Sequence, residues 1–418
     1  MAFTKIKDPD RISLVNNPIP IIYSSSTSAQ VGFKYRVIIN GSGNTDAFAS
    51  LYVYGDNDYN EYLIYDASMI CSNYVRFDYE NWNISGITKC HNQMNSFYFD
   101  LVEYLGYNSG STDNDNGPFW YFQGVKQYED TFNIDNYLSH TGSTAYFLSK
   151  WSGKRKYKLT EYGVVNTFYG IWQDKYSDWR RYVISVNSGA TEDRKYYIEI
   201  NSGVTGYGIY SLPLGPANIN DAVTAGVLKD YETGNVPGYD IINSNTNSYS
   251  VWLEYWALVD VPQNGTRTTE ILEVDVDQQC YKHSGIQFLW CGDLGSPETY
   301  TFRYGDVKET TISRSAIKKP LHHYLAEDYS YNIGERGLKN VDVISYENVA
   351  VVSDWLEDRI NNNLMELYRS SEVWIIKDDN IYPIIITSST IENKKIKVNK
   401  LYNQTIEYKV AYEKLTNL

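Results

Sequence analysis

The chain has 418 residues, with 37 Lys+Arg against 51 Asp+Glu and a formal net charge of −14. Apolar residues make up 42% and charged residues 21%, a balance that builds packed cores and excludes wholesale disorder. The acidic excess argues against a dedicated nucleic-acid binder, which needs a dense basic face.

Tyrosine is abundant, at 41 residues. With Val, Ile, Thr, Phe and Trp it supplies a vocabulary for pleated surfaces, and Asn, Ser, Gly and Asp fill the joints. At roughly 100–200 residues per domain, the length predicts two to four domains. Residues 1–27 read as an extended N-terminal arm, with Pro9, Pro18 and Pro20 followed by Ser24, Ser25 and Ser26. Such an arm suits draping over a neighbour, and its removal is expected to spare folding.

A β-sandwich domain is expected over 28–165. It holds a strand at 34–39 closed by Asn40-Gly41, and an alternating strand at 74–80 with Val75, Phe77 and Tyr79 on one face. Residues 108–117 read as a polar loop. A second β-sandwich domain is expected over 166–310. In it, residues 201–220 form a connector carrying Gly203, Gly206, Gly208, Pro213, Gly215 and Pro216, and 232–248 a long polar loop. Pro262-Gln263-Asn264-Gly265 is a hairpin turn joining 251–260 to 267–276, since Asn-Gly accepts positive φ. Residues 271–277 alternate, with Glu273, Asp275 and Asp277 opposite Leu272, Val274 and Val276.

Residues 311–418 form a C-terminal β domain with one amphipathic helix at 354–369. Trp355, Ile360, Leu364 and Leu367 lie near one stripe, with Asp354 and Glu357 at its amino end. A final strand at 406–413 sets Ile406, Tyr408, Val410 and Tyr412 on one face. No repeat of 20–50 residues and no βαβ alternation is visible, which disfavours Rossmann-like and barrel enzymes. The expected fold is mainly β: two or three antiparallel β-sandwich-like domains with long loops and one short amphipathic helix near 354–369.

No motif selects a chemistry. Cys280 and His283 have C-x-x-H spacing with Cys291 nearby, but zinc needs four ligands, and Cys71, Cys90 and His91 lie far off in sequence. His322 and His323 are neighbours, and in a strand they point to opposite faces. The run Asp113-Asn114-Asp115-Asn116-Gly117 resembles a calcium loop, yet Thr112 stands at the first ligand position and Gln123 at the twelfth. There is no G-x-S-x-G, S-x-x-K or Walker-type phosphate loop, and five histidines offer few general bases. A glycan hydrolase needs two acids about 5–10 Å apart beside aromatic platforms. Trp172-Gln173-Asp174 and Glu254-Tyr255-Trp256 are places to look, although no spacing selects them. The basic run Lys150, Lys154, Arg155, Lys156 and Lys158 reads as a solvated hairpin tip, as a dock for an acidic partner subunit or as the lining of a nucleic-acid conduit. The last 28 residues carry six lysines against three glutamates. No apolar leader opens the sequence, and no apolar run approaches the roughly 18–20 residues that span a bilayer. Four cysteines are too few for a disulfide scaffold, so synthesis in a reducing cytoplasm is expected.

Several segments, in order, resemble a family of virion structural proteins of tailed bacteriophages, notably those of crAss-like phages and relatives infecting Bacteroidetes. They are Asn17-Pro18-Ile19-Pro20-Ile21 with Gly32-Phe33-Lys34-Tyr35-Arg36-Val37, then 95–107, then Leu212-Pro213-Leu214-Gly215-Pro216-Ala217-Asn218-Ile219. The region 280–303 follows, with Cys280-Tyr281-Lys282-His283, Phe288-Leu289-Trp290, Leu294-Gly295 and Thr299-Tyr300-Thr301-Phe302. The last is 370–412, with Ser370-Ser371-Glu372-Val373-Trp374, Tyr382-Pro383-Ile384-Ile385-Ile386-Thr387, Lys394-Lys395, Asn399-Lys400-Leu401 and Tyr408. Trp290-Cys291-Gly292-Asp293 departs from the family, which carries an Asn-rich turn there.

The resemblance implies a multi-copy β-sandwich ring protein of the neck or tail around the DNA conduit. It implies no catalytic, metal or cofactor residues, a homo-oligomeric ring that touches other tail, neck or portal-proximal proteins and passing DNA, and no membrane insertion. The expected location is the virion. The rival readings are a receptor- or glycan-binding tail accessory and a virion glycan hydrolase.

Overall fold

The computed structural model describes residues 3–7, 9–25, 33–41, 47–53, 62–105, 108–114, 118–127, 132–138, 144–151, 153–169, 179–187, 193–199, 208–255, 265–281, 285–303, 305–318, 338–388 and 403–411. Strand outweighs helix by 53% to 13%, and the helices are three short ones, so the fold is mainly β as expected. Antiparallel ladders predominate, but parallel ones also occur, between Phe119–Phe122 and Ile12–Leu14 and between Arg155–Tyr157 and Leu272–Val276. The sequence suggested breaks near 27, 165 and 310. The chain instead forms two compact units: Met1–Gln279 with Cys291–Thr299, and Cys280–Trp290 with Tyr300–Leu418.

In the first unit, Phe33–Gly41 pairs with Met94–Leu105, with Val37 opposite Leu101. The inward residues Tyr35, Val37 and Ile39 meet Phe97, Phe99 and Leu101, each buried by the two-residue period of the strand. The N-terminal segment completes this core and is no free arm. Ile12–Leu14 pairs with Phe119–Phe122, Pro20–Ser25 pairs with Tyr62–Asp66, and Ile19, Ile21 and Tyr23 are buried in the same cluster. Pro9 and Pro18 stand outside the ladders and Pro20 is the first residue of its strand, positions where Pro is tolerated. Each buried apolar side chain contributes roughly 1.5–3 kcal/mol. Deleting residues 1–25 is therefore expected to lower the thermal midpoint sharply or prevent folding, as read by circular dichroism. A truncated protein melting with the full chain would contradict this.

Two segments of this unit depart from their sequence reading. Residues 74–80 alternate in burial, with Val75 and Phe77 inside, but they form no ladder. They run between the 3-10 turns Ser72–Tyr74 and Tyr79–Asn83, pinned by Arg76 N to Asn92 O (2.8 Å) and by Asn92 N to Asp78 Oδ2 (3.0 Å). Within the supposed loop at 108–117, Asn108–Asn114 is a strand paired with Met94–Leu105. Its residues have weak strand propensity, and the neighbouring ladder overrides it.

The same unit holds a sheet in the order Arg155–Tyr157, Leu272–Val276, Ser248–Tyr255, Trp179–Asn187, Arg194–Glu199 and Leu228–Asp230. The expected hairpin pairs Val251 with Leu272 and Tyr249 with Val274, while Pro262, Gln263 and Asn264 lie outside the described residues. Of the predicted connector, residues 201–207 lie outside the described residues, and the rest is largely regular structure. Gly208–Pro213 is buried along its whole length between Val164–Tyr169 and Thr88–Cys90, so it shows no alternation. Pro216–Thr224 is a helix with Pro at its first turn. Gly215 is required there, since a Cβ would lie 2.3 Å from the Gly163 nitrogen.

A further sheet runs in the order Pro297–Phe302, Ile286–Cys291, Val373–Lys377, Asn380–Ile386, Thr405–Val410, Leu338–Val352 and Gly305–Lys318, and its residues 286–290 and 300 onward belong to the second unit. In Thr405–Val410 the expected face is buried at Ile406 and Tyr408, and Glu407 is exposed. The helix starts later than expected, at Asp358–Arg369, with Glu357 as its N-cap. Leu364 and Leu367 bury as expected. Trp355 is exposed and outside the helix, while Asn361 is buried and its Oδ1 accepts from Gln404 Nε2 at 2.7 Å.

Candidate assembly surface

Among the described residues, a prominent exposed feature is a two-stranded ribbon in the second unit. Gly305–Lys318 and Leu338–Val352 pair antiparallel from Gly305 opposite Val352 to Lys318 opposite Leu338, with one register shift between Ser315 and Ala316. At about 3.3 Å per residue, a strand of 14 residues reaches roughly 45 Å. At its base, Asn348–Val352 also pairs with Thr405–Val410. Gly305–Lys318 is the last strand of the sheet, and among the described residues only Leu338–Val352 pairs with it. Every side chain from Asp306 to Lys318 is exposed, including Val307 at 69%, Ile317 at 52% and Ile312 at 46%.

Local sequence explains the strands. Val307, Thr310, Thr311, Ile312 and Ile317 are β-branched, and such residues favour extended backbone even with no core beneath them. Across the ribbon Asn348 Nδ2 donates to Thr311 Oγ1 at 3.0 Å, and within one strand Lys308 pairs with Asp306 at 3.5 Å. Sequence reading placed a domain start near 311 and missed the ribbon, because with both faces exposed no alternating burial pattern is written into it.

The basic run and the acidic strand, noted separately in the sequence, find each other. Arg155–Tyr157 lies parallel to Leu272–Val276, with Lys156 opposite Asp275. Lys154 reaches Glu273 at 3.2 Å and Asp275 at 3.7 Å, and Lys156 reaches Asp277 at 3.6 Å. Lys150 reaches Asp293 at 3.1 Å. Arg155 is buried and donates to Glu298 Oε2 at 2.6 Å, while its other amino group donates to Ser149 Oγ at 2.8 Å. Lys150, Lys154, Arg155 and Lys156 thus meet acidic groups of the chain itself, so the run is no bare hairpin tip.

The 290–293 departure from the family pattern opens a turn whose residues from Cys291 to Thr299 are part of the first unit. Gly292 N donates to Ser296 O (2.9 Å), and Asp293 O accepts from Val125 N (2.7 Å). Gln93 Nε2 donates to Gly295 O, and Gln93 Oε1 accepts from Asn166 Nδ2 at 2.7 Å. Asn166 Oδ1 in turn accepts from Ser211 Oγ at 2.8 Å. All of these side chains are buried, so each polar group needs its neighbour.

Among the described residues, the candidate chemical residues do not gather into one site. Cys71 and Cys90 are buried, and burial pushes both thiols up to about 12. Cys90 sits 3.0 Å from Ser211 Oγ. Cys280 is exposed and Cys291 partly buried, with its thiol 3.6 Å from Gly292 O. His283, His322 and His323 lie outside the described residues, as do Trp172, Gln173, Asp174, Trp256 and the 115–117 part of the calcium-like loop. Among the described residues, no group of three or more His, Cys, Asp or Glu could hold a metal ion. Glu254 is held by Trp252 Nε1 and Tyr231 OH, both at 2.9 Å. A groove of about 520 Å³ in the first unit is lined by Asp10, Arg11, Asn17, Lys126, Phe132 and Asp135, among others, a mixture that favours no ligand class. Among the described residues, no helix is long and apolar enough to cross a membrane. Comparison with protein-family models and with curated proteins returns no match.

Proposed function

We propose that this protein is a structural subunit of a tailed-phage virion, a multi-copy ring component of the tail or neck that surrounds the DNA conduit and acts by assembly without catalysis. The observation that carries the reading is the exposed ribbon of Gly305–Lys318 and Leu338–Val352. A two-stranded ribbon is marginal by itself in water and gains stability when other strands or surfaces flank it. A long open strand edge is a liability in a monomer and an asset in an assembly. The ordered family resemblance along the chain supports the same class. A ring closes through head-to-tail contacts, in which two different surfaces of each copy meet. The net charge of −14 suits a wall beside DNA, because it repels the phosphate backbone and lets the duplex slide.

Electron microscopy of the purified protein and of virions tests the proposal. Closed rings in solution and the protein's presence in particles are the expected results. A strictly monomeric protein that is absent from particles would overturn it. A glycan array is expected to show no binding, whereas specific sugar capture would transfer the protein to the receptor-binding accessories.

A further inference from the structure

We infer that the free edge of Gly305–Lys318 binds the same edge of a second copy of this chain, antiparallel across a two-fold axis centred on Thr310, with Asp306 of each copy opposite Arg314 of the other. The pairing goes beyond ring closure: it is two-fold rather than head-to-tail, so it stands or falls separately.

The edge itself comes first. Gly305–Lys318 ends its sheet, and its side chains from Asp306 onward are all exposed. Its only ladder among the described residues is with Leu338–Val352, so its other edge presents backbone donors and acceptors that an added strand satisfies. Three apolar side chains, Val307, Ile312 and Ile317, stand along it and lose water contact when the edge is covered.

Charge then selects the occupant and the register. The strand is polarised: Asp306 and Glu309 lie toward its start, with Lys308 between them, and Arg314 and Lys318 lie toward its end. An antiparallel second copy sets the acidic end of each against the basic end of the other. A parallel copy would set like against like.

In an antiparallel ladder the two-fold axis passes between a residue and its own copy, so the centre must be a single position. Centring on Glu309 opposes two carboxylates directly. Centring on Thr311 sets Lys308 opposite Arg314, two cations, which is destabilising. Centring on Ile312 sets Arg314 against Thr310, and its one opposite-charge pair, Asp306 with Lys318, falls across the register shift at Ser315 and Ala316. Centring on Thr310 sets Asp306 against Arg314 twice and Lys308 against Ile312 twice, so the lysine stem covers the isoleucine. Asp306, Lys308, Thr310, Ile312 and Arg314 share one face, since all precede the register shift at Ser315.

Two experiments test this on the full chain. Thr310→Cys is expected to form a disulfide-linked dimer on mild oxidation, because facing residues of adjacent strands lie within disulfide reach. Thr311→Cys, on the other face, is expected to remain unlinked beyond the wild-type background set by exposed Cys280. An equal mixture of Lys308→Cys and Ile312→Cys chains is expected to cross-link, and each alone is not, since like positions then sit roughly 13 Å apart. Equal linking at Thr310 and Thr311, or none at Thr310, overturns the pairing.

In sedimentation, Asp306→Arg and Arg314→Asp are each expected to weaken the two-fold association about tenfold or more. The double variant is expected to restore it, which separates lost contact from lost folding. Singles that associate as tightly as the wild type overturn the proposal. Rings that form while Thr310→Cys stays unlinked would refute the pairing and leave the ring reading intact.

Discussion

Arg155→Met is expected to destabilise the protein by about 3–5 kcal/mol, the range for breaking a buried ion pair by removing one partner. The guanidinium is 3% exposed and Glu298 is 1% exposed, so neither charge has water to fall back on. Removing Arg155 leaves the Glu298 carboxylate with only the Ser149 hydroxyl donating to it. The same guanidinium lies 5.1 Å from the Trp151 ring, a contact that methionine replaces only in part. Equilibrium urea unfolding reads the loss. The double variant Arg155→Met with Glu298→Leu is expected to recover most of it, because replacing both charges removes the unpaired one. A single variant within about 1 kcal/mol of wild type would show that water reaches the carboxylate.

Gly295→Ala is expected to cost about 2–5 kcal/mol. Gly295 has φ of +77°, where an L side chain costs about 1–2 kcal/mol. Its added Cβ would lie 2.2 Å from the Gln123 carbonyl oxygen, which is backbone and cannot swing aside. Overpacking of that kind costs about 1–3 kcal/mol more. The shift that relieves it also moves the Gly295 carbonyl away from Gln93, the first link of the buried chain through Asn166 and Ser211. Gly226→Ala is the control, since it shares positive φ (+71°) and has nothing within 4 Å of its Cβ. Thermal melts of the two variants separate clash from backbone strain. Equal losses would remove the clash from the account.

The sequence was legible where one face of a strand is buried and the other wet. Leu272–Val276 and Thr405–Val410 carry that alternation, and the structure buries the faces it marks, at Val274, Val276, Ile406 and Tyr408. It was opaque where both faces share one environment. Gly208–Pro213 is buried on both faces, and its glycine and proline disguised it as a connector. Asp306–Lys318 is exposed on both faces, and its mixed composition fixed no reading. Residues 74–80 show a third limit: Val75 and Phe77 alternate in burial, but a period of two says nothing about whether a partner strand exists. The helix was found from Leu364 and Leu367, while its start was misplaced because Asp354 and Glu357 both resemble first-turn acids.

The candidate surface was less legible than the fold, for a related reason. The basic run at 150–158 and the acids of 273–277 were each visible, but their partnership spans more than a hundred residues, and local pattern carries no such information. What decides it is the parallel ladder that brings Lys156 beside Asp275.

The composition of the first unit, Met1–Gln279 together with Cys291–Thr299, has a consequence for how the chain folds during synthesis. Arg155, Gln93 and Asn166 find partners in Glu298, Gly295 and Ser296, residues that leave the ribosome long after them. Until residue 299 has emerged, a nascent first unit holds a cation and two amides that lack these partners. It therefore cannot reach its native minimum early, and its final locking waits for a short segment delivered late. Long-range closure of this kind is slow, and it lengthens the interval in which unpaired strand edges are exposed to other chains.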